Sequence, residues 1–511
     1  MNLDARTCYR ALRARDPRFD GRFFTGVAST GVFCRPVCPA RTPRFENCRF
    51  FPHAAGAAAA GFRPCLRCRP EAAPGTPAWN GTEVTVARAL RLIAEGAMDA
   101  ASVDALATRV GVGDRHLRRL FLRHVGATPI AVAQTQRVLF AKRLLDETTL
   151  PIAAVGRAAG FASQRRFNAA MRGTFERAPT ELRRLRAAAP TRAGAVTLAL
   201  AYRPPFDWAA LLAYLAYRAI PGVESARDGV YRRTVRIPGA SALTPGASNP
   251  AILEVRDDAP ARLLRVTLLP VHGAVETGSL LQVVGRLRRL FDLDADPVAL
   301  AKVLGADPIL APLLAAHPGL RIPGAWDGFE VAVRAVLGQQ VSVRAATTIA
   351  GRIAARCGER LAGDVELNRL FPDAASLSQA DLTGLGLMPA RVRTLQLLAH
   401  AVAEGTVRPE PGAPAEPTKA ALGAIRGIGP WTAEYVALRV LREPDAFPSS
   451  DLGLRRAYAR LAASGTRTTK ADLRPVTPAV LERAAAIWQP WRAYAAVYLW
   501  TWEANHAPVD G

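Results

Sequence analysis

Two constellations in this 511-residue chain could do chemistry. The first is Cys34-Arg-Pro-Val-Cys38 followed, after 26 residues, by Cys65-Leu-Arg-Cys68. Short spacing within each pair lets two thiolates face one ion, and the loop between the pairs supplies fold that the metal then staples. This is the spacing of a tetrahedral Zn2+ site. A metal-bound thiolate is already deprotonated, so it stays nucleophilic at neutral pH. Cys8 and Cys48 lie outside the pattern and are expected to be ordinary core or surface residues. The second constellation is Ile425-Arg-Gly-Ile-Gly-Pro-Trp-Thr-Ala433, with Asp451 lying 22 residues beyond Gly429. A Gly427-Ile-Gly429 turn between two helices makes a helix-hairpin-helix. Its glycines permit the tight turn, and its backbone N–H groups can meet a phosphate. Alone, the triplet also fits an ordinary helix–helix turn. An Asp just before the run LGLRRAY also fits a helix N-cap, and Asp451 can be a cap and a reactive carboxylate together.

Several domains must position these groups, because the chain is too long for a single core. Six of the seven cysteines precede residue 70, which points to metal or thiol chemistry rather than to disulfides. Half of the residues are hydrophobic, yet no run of 18 apolar residues occurs, so no membrane span is expected. The first residues, MNLDARTCYRALRARD, lack the apolar core of a signal peptide, and a cytoplasmic location follows. A net charge of +24 suits a polyanion, nucleic acid or an anionic membrane surface. A rival source of that charge is the Ala-, Arg-, Gly- and Pro-rich composition of a high-GC genome.

Pro- and Gly-rich stretches at 71–81 and 187–195 read as linkers, and 408–418 as a loop inside a domain. Residues 83–187 read as short amphipathic helices. Between 195 and 300, VTLALAY, VYRRTVRI, AILEV and LLRVTLLPV read as strands beside the helices FDWAALLAYLAYRAI and LLQVVGRLRRLFDL. From 311 the pattern is helical throughout. The expected fold is multidomain, mainly α with α+β parts: a small zinc domain (1–77), a tandem helix-turn-helix (82–187), an α+β subdomain (195–310) and an all-α helix-hairpin-helix domain (311–511).

The segments TGVFCRPVCPAR, RFENCRFF and AAGFRPCLRCRPE resemble the N-terminal domain of Ada-type alkylation-response proteins, and the match covers nearly all of residues 4–71. The resemblance implies that Cys34 takes a methyl group from a methylated DNA phosphate. Loss of the thiolate charge then switches on specific DNA binding. It places Arg41, Arg63 and Arg67 toward phosphates. SVDALATRVGVGDRHLRRLFLRHVGATP and PIAAVGRAAGFASQRRFNAAMRGTFERAP form an internal duplication with Pro129 and Pro179 spaced 50 apart. Together they resemble the tandem helix-turn-helix of AraC-type regulators. The second helix of each unit would enter a major groove. It would carry Arg115, His116, Arg118 and Arg119 in one unit, and Gln164, Arg165, Arg166 and Asn168 in the other. Leu117, Leu120, Phe121, Phe167 and Met171 would form the packed face, and Asp114 and Ser163 the polar caps.

RPPFDWAALLAYLAYRAIPGVE, GFEVAVRAVLGQQVS, IRGIGPWTAEYVALRV, FPSSDLGLRRAY and QPWRAYAAVYLWTWE resemble the helix-hairpin-helix glycosylases, specifically the AlkA-type 3-methyladenine enzymes, over about 200–505. The resemblance makes Asp451 the catalytic carboxylate, with Asp445 as its nearest competitor. It makes Trp431, Tyr435, Tyr214 and Trp500 an aromatic pocket for cationic bases. Strand-cutting relatives carry a lysine where Trp431 stands, so a monofunctional enzyme is expected. Only Cys357 lies in this half, which excludes the Fe–S cluster of other relatives, and no organic cofactor is expected. Two positions depart from the family. Ser449-Ser450 replaces an acidic neighbour of the catalytic Asp, and Gln340 stands where an apolar wedge fills the gap left by a flipped base. No Pro-Cys-His-Arg motif occurs, so repair of O6-alkylguanine is not expected. The resulting expectation is a methylphosphotriester sensor and transcription activator fused to an alkylbase glycosylase. It would act on double-stranded DNA as a monomer, with RNA polymerase as the partner of an activator. The alternative is a regulator whose glycosylase half is catalytically inactive.

Overall fold

The computed structural model describes residues 4–73, 84–94, 96–98, 101–148, 150–183, 194–237, 249–275, 277–463 and 474–506. Most of both expected linkers, 71–81 and 187–195, lies outside these residues.

The cysteine module is a four-stranded sheet of β1 (Phe24–Val27), β2 (Val32–Cys34), β3 (Cys48–Phe51) and β4 (Arg63–Pro64), in the order β3-β1-β2-β4. These strands leave no mark in the sequence pattern. Each is four residues or fewer, too short for alternation to register. Its register matters for chemistry. β2 and β4 run parallel with Phe33 opposite Pro64, and the Cys65 N–H donates to the Phe33 carbonyl at 3.0 Å. The next residues along the two strands, Cys34 and Cys65, are thereby brought together. Phe24, Phe33 and Phe62 pack with Ala54 and Ala57 behind the sheet.

The helix-turn-helix units follow the expected pattern. The helices Val103–Val110 and Asp114–His124 form the first, and Ile152–Ala158 and Gln164–Phe175 the second. Pro129 and Pro179 both sit in the first turn of a helix, where a missing N–H costs nothing. Ser163 caps its helix as expected, accepting from the Arg166 N–H at 3.3 Å. At the other unit the N-cap is Gly113, and Asp114 is the first helical residue, where its charge favours the helix dipole. The core of the first unit draws in only Ala55 from the cysteine module. In the second, Leu144, Phe167 and Met171 share one apolar cluster with the neighbouring sheet.

That sheet is antiparallel, ordered β5-β9-β8-β7-β6, with β5 (Val196–Ala201), β6 (Glu224–Arg227), β7 (Val230–Ile237), β8 (Asn249–Asp258) and β9 (Leu263–Pro270). Strand β6 was not expected from its polar sequence, ESAR. Val196, Leu198 and Leu200 alternate inward against the helix Leu280–Leu290. Among the described residues beyond the sheet, helices dominate, and residues 358–373 form the longest stretch without one. There an extended stretch bridges Arg360 to Arg369 and docks on the sheet module, with the Arg369 N–H donating to the Gly222 carbonyl at 3.0 Å. Trp488, fully buried, anchors the helical core and donates to Asp307 at 2.9 Å.

Buried arginines join the modules. Arg203 donates to the Asp20 carbonyl of the cysteine module and to the Asp294 carbonyl, both at 2.8 Å. Arg22 pairs with Asp296 at 2.9 Å, both side chains being almost wholly buried. Removing one partner of such a pair strands the other charge, so Arg22→Ala should destabilise the chain by about 3–5 kcal/mol. Urea denaturation checks this. A loss below 1 kcal/mol, the range of exposed pairs, would show that the contact carries no load.

Candidate active site and zinc centre

The hairpin begins with the helix Ala415–Gly423 and ends at Gly429, the N-cap of the helix Pro430–Val436. Its two glycines do different things. Gly427 has φ +94°, and a Cβ there would lie 2.1 Å from Thr394 Oγ1, so only glycine fits. Gly429 has an ordinary φ of −97°, and a Cβ there would meet nothing within 4 Å. It borders open space at the N-terminus of its helix.

Asp451 is the N-cap of the helix Leu452–Ala462, its Oδ1 accepting from the Leu454 N–H at 2.9 Å. Two indoles complete its coordination. Trp431 Nε1–H donates to Oδ2 at 2.7 Å, and Trp500 Nε1–H donates to Oδ1 at 3.0 Å. Three donors from three helices thus hold one half-buried carboxylate. The competitor Asp445 is already neutralised: Arg492 grips both its oxygens, at 2.9 and 2.8 Å. Ser449 and Ser450 occupy the turn before the cap, where the Asp451 N–H donates to the Pro448 carbonyl at 2.8 Å.

The four aromatic residues named from the sequence meet here. Trp431 and Tyr435 stack with ring centres 5.3 Å apart, Tyr435 meets Trp500 edge-on at 6.0 Å, and the Tyr214 and Tyr435 hydroxyls lie 3.3 Å apart. Sequence reasoning missed Arg439. Its buried guanidinium donates to the Tyr214 hydroxyl at 2.7 Å, the Tyr435 hydroxyl at 2.5 Å and the Gly324 carbonyl at 3.1 Å. Its position one helical turn beyond Tyr435 was the only available signal. Burial raises the Tyr214 phenol, but Arg218, 3.8 Å from its ring centre, and Arg439 outweigh burial and lower it to about 8. At Tyr435 burial dominates and the phenol moves up.

Gln340 is exposed at the tip of its loop with φ +60°, a left-handed conformation unusual for a residue with a side chain. Its neighbour Gln339, also missed, ties that loop to the hairpin. The Gln339 amide donates to the Gly427 carbonyl and to Thr432 Oγ1, each at 3.0 Å.

At the other end of the chain, Cys34, Cys38, Cys65 and Cys68 are all buried, with their sulfurs within 4.8 Å of one another. Four Zn–S bonds in a tetrahedron need sulfurs about 3.8 Å apart, so the donor set fits Zn2+. Arg35 buttresses it. Its backbone N–H donates to Cys68 Sγ at 3.3 Å, and its side chain turns inward to Asp20 and to the Cys68 carbonyl at 3.1 Å. All four cysteines are between 6 and 8% exposed, so exposure does not single out Cys34. Arg41 and Arg67 are exposed, whereas Arg63 is drawn into an ion pair with Glu176 of the second helix-turn-helix unit. On the second helices, Arg115, His116, Arg118, Arg119, Gln164, Arg165 and Arg166 are exposed and Asn168 is half-buried. Leu117, Leu120, Phe121, Phe167 and Met171 are buried. Among the described residues no helix is long and apolar enough to cross a membrane.

Four family profiles tile the chain: the metal binding domain of Ada over residues 7–71, a helix-turn-helix domain over 106–185, the AlkA N-terminal domain over 197–327, and the HhH-GPD superfamily of base excision DNA repair proteins over 333–477. The DNA-3-methyladenine glycosylase 2 of Escherichia coli is 34% identical over 317 residues, 60% of this chain and 99% of that one. The bifunctional transcriptional activator/DNA repair enzyme Ada of Escherichia coli is 41% identical over 138 residues, 27% of this chain and 37% of that one. A protein of Mycobacterium tuberculosis described as a probable bifunctional transcriptional activator/DNA repair enzyme AlkA is 42% identical over 509 residues, 98% of this chain and 97% of that one. With its modules in that order over almost its full length, this chain belongs to the family of AlkA-type bifunctional transcriptional activator/DNA repair proteins.

Proposed function

We propose that the C-terminal half hydrolyses the N-glycosidic bond of alkylated bases flipped out of duplex DNA, with Asp451 as the catalytic carboxylate. The observation that carries this reading is a carboxylate held by two indoles at the edge of an aromatic wall, next to a hairpin with room for a phosphate. An alkylated purine is cationic. When its bond to the sugar C1′ breaks, the bonding electrons neutralise the base, so no acid is required. The positive charge moves to the sugar, where a fixed carboxylate compensates it. Water then adds to C1′, and its proton passes to the Asp451 carboxylate and from there to solvent. The Trp431–Tyr435 face and the Trp500 edge favour a flat, electron-poor base. With Trp431 where strand-cutting relatives have lysine, the reaction ends at the abasic site. Gln340, exposed beside the hairpin, fills the gap in the duplex.

At the N-terminus, Cys34, Cys38, Cys65 and Cys68 would hold the zinc ion, which when bound keeps their sulfurs ionised at neutral pH. We propose Cys34 as a stoichiometric acceptor. Its sulfur forms a bond to the methyl carbon of a methylphosphotriester as the methyl–oxygen bond breaks, and a phosphodiester anion leaves. The cysteine module loses one negative charge, so its repulsion from DNA falls. Arg41 and Arg67 face phosphates, and the two second helices read a promoter whose occupancy recruits RNA polymerase.

Base release from alkylated duplex DNA by Asp451→Asn tests the first reading. Asparagine keeps the capping oxygen but sets an amide N–H against the Trp431 indole N–H, so the variant should fold with a loss of about 1–3 kcal/mol. Release should fall by about 10²–10³-fold, the cost of removing a preorganised electrostatic group. Unchanged release would remove Asp451 from the chemistry, and no release by the unaltered chain would leave the regulator reading. For the N-terminal module, mass spectrometry after incubation with methylated DNA should show one added methyl on Cys34 and none in Cys34→Ser. A methyl carried by Cys38, Cys65 or Cys68 would overturn the assignment. Chelation of zinc should unfold this module, seen as loss of amide protection over 5–73.

A further inference from the structure

A cationic base entering the aromatic wall meets other cations behind it. Arg439 donates to the Tyr214 hydroxyl oxygen at 2.7 Å and to the Tyr435 hydroxyl oxygen at 2.5 Å. Its remaining donors go to the Pro323 and Gly324 carbonyls, not to a carboxylate. Arg218 lies 3.8 Å from the centre of the Tyr214 ring and donates to the Tyr214 carbonyl at 3.5 Å. The other charged groups around Tyr214 are Glu224, Arg233, Glu330 and Arg334, and they balance one another. Arg233 pairs with Glu330 at 2.6 Å and Glu224 at 3.5 Å, and Arg334 pairs with Glu224 at 2.9 Å and Glu330 at 3.5 Å. The Tyr231 hydroxyl donates to Glu224 at 2.5 Å. Beyond Tyr435, Trp431 and Trp500 hold Asp451.

A flat cation stacked on this wall is repelled by Arg218 and Arg439 unless an anion stands between. The Tyr214 phenol is placed to become that anion. Its oxygen already accepts from Arg439, and the Tyr435 hydroxyl, 3.3 Å away, can turn its proton toward it. Two donors at the oxygen and a guanidinium on the ring favour the ionised form. We propose that Tyr214 is a phenolate whenever a cationic base occupies the pocket, its proton passing to solvent as the base enters. The pocket then offers a counter-ion to charged lesions and gains nothing from a neutral base of the same shape. This inference rests on the glycosylase reading and names how that site recognises charge. When the bond to C1′ breaks, the base becomes neutral and the attraction ends. Such a contact strengthens binding without assisting the bond-breaking step, so it appears in KM rather than kcat.

The direction with pH follows. Burial raises the Tyr214 phenol, but Arg218 and Arg439 outweigh it and bring the phenol down to about 8. The group is neutral well below that value and charged above it, so the attraction grows as pH rises toward 8. The test is KM and kcat for release of 3-methyladenine from methylated duplex DNA, followed from acid to mildly alkaline pH. For the unaltered chain KM should fall by up to about tenfold per pH unit on approach to 8 and then level off, while kcat does not rise in step. Tyr214→Phe should abolish the fall, and Arg218→Gln should shift it to higher pH. A competing duplex that carries hypoxanthine, a purine uncharged at neutral pH, should show no such dependence. Tyrosinate absorbance of the free chain should report one phenol ionising near 8, absent in Tyr214→Phe. Thermal melting checks that both variants fold. Base release with the same KM profile in the unaltered chain and in Tyr214→Phe would overturn the phenolate alone, as would an equal pH dependence for the hypoxanthine duplex. Absence of release from the unaltered chain would overturn the glycosylase reading and this inference with it.

Discussion

A guanidinium withdrawn from water must place five N–H donors in a fixed fork on acceptors that do not move. Much of this molecule is organised by that requirement. Arg203 spends its donors on the Asp20 carbonyl of the cysteine module and on the Asp294 carbonyl of its own module. Arg321 in turn donates to the Arg203 and Pro205 carbonyls, at 2.7 and 2.9 Å. Arg233 reaches Glu330 at 2.6 Å across the boundary between sheet and helices. Each of these guanidiniums reaches an acceptor in another module, so parting the modules would strand buried donors. A chain that reads as a string of separable domains is thereby built as a set of locked junctions.

The same economy governs the carboxylate proposed as catalytic. Asp451 closes the first turn of a helix, a structural task that many aspartates perform, and at the same time accepts from Trp431 and Trp500. Capping fixes where the carboxylate is, and the indoles fix which way its oxygens face. Dipoles set before the substrate arrives need no reorganisation during bond breaking. The stack behind them is fixed in turn by Arg439 through the Tyr435 hydroxyl. Asp445, only six residues earlier in the chain, is instead held by Arg492 through both of its oxygens.

The net charge of +24 supports a polyanionic partner, but charge counted along a sequence is not charge on a surface. Arg22, Arg203, Arg233, Arg321 and Arg439 are all buried. The exposed arginines of the two second helices do face outward, and there the alternation with Leu117, Leu120, Phe121, Phe167 and Met171 was legible, because a helix repeats its faces within a few residues. Asp114 could be misread as a cap because a carboxylate inside the first turn and one at the N-cap both favour the same helix end, so composition alone cannot separate them.

The order of the modules, the four cysteines, the hairpin glycines and the inward and outward faces of the helix-turn-helix units are legible along the chain, and a cap at Asp451 is one of the readings it offers. These are local signals, carried by residues within one or two turns of each other. Only the tertiary structure decided what lies far apart in the chain: the parallel register that sets Cys34 beside Cys65, the meeting of Tyr214 with Tyr435, the indole of Trp500 on Asp451, and the guanidinium of Arg439 on Tyr214. It also decided that the second helix-turn-helix unit shares its core with the sheet. The physical reason is that an apolar or charged side chain states only what kind of neighbour it needs. Which neighbour it obtains depends on how every other buried group is satisfied at once.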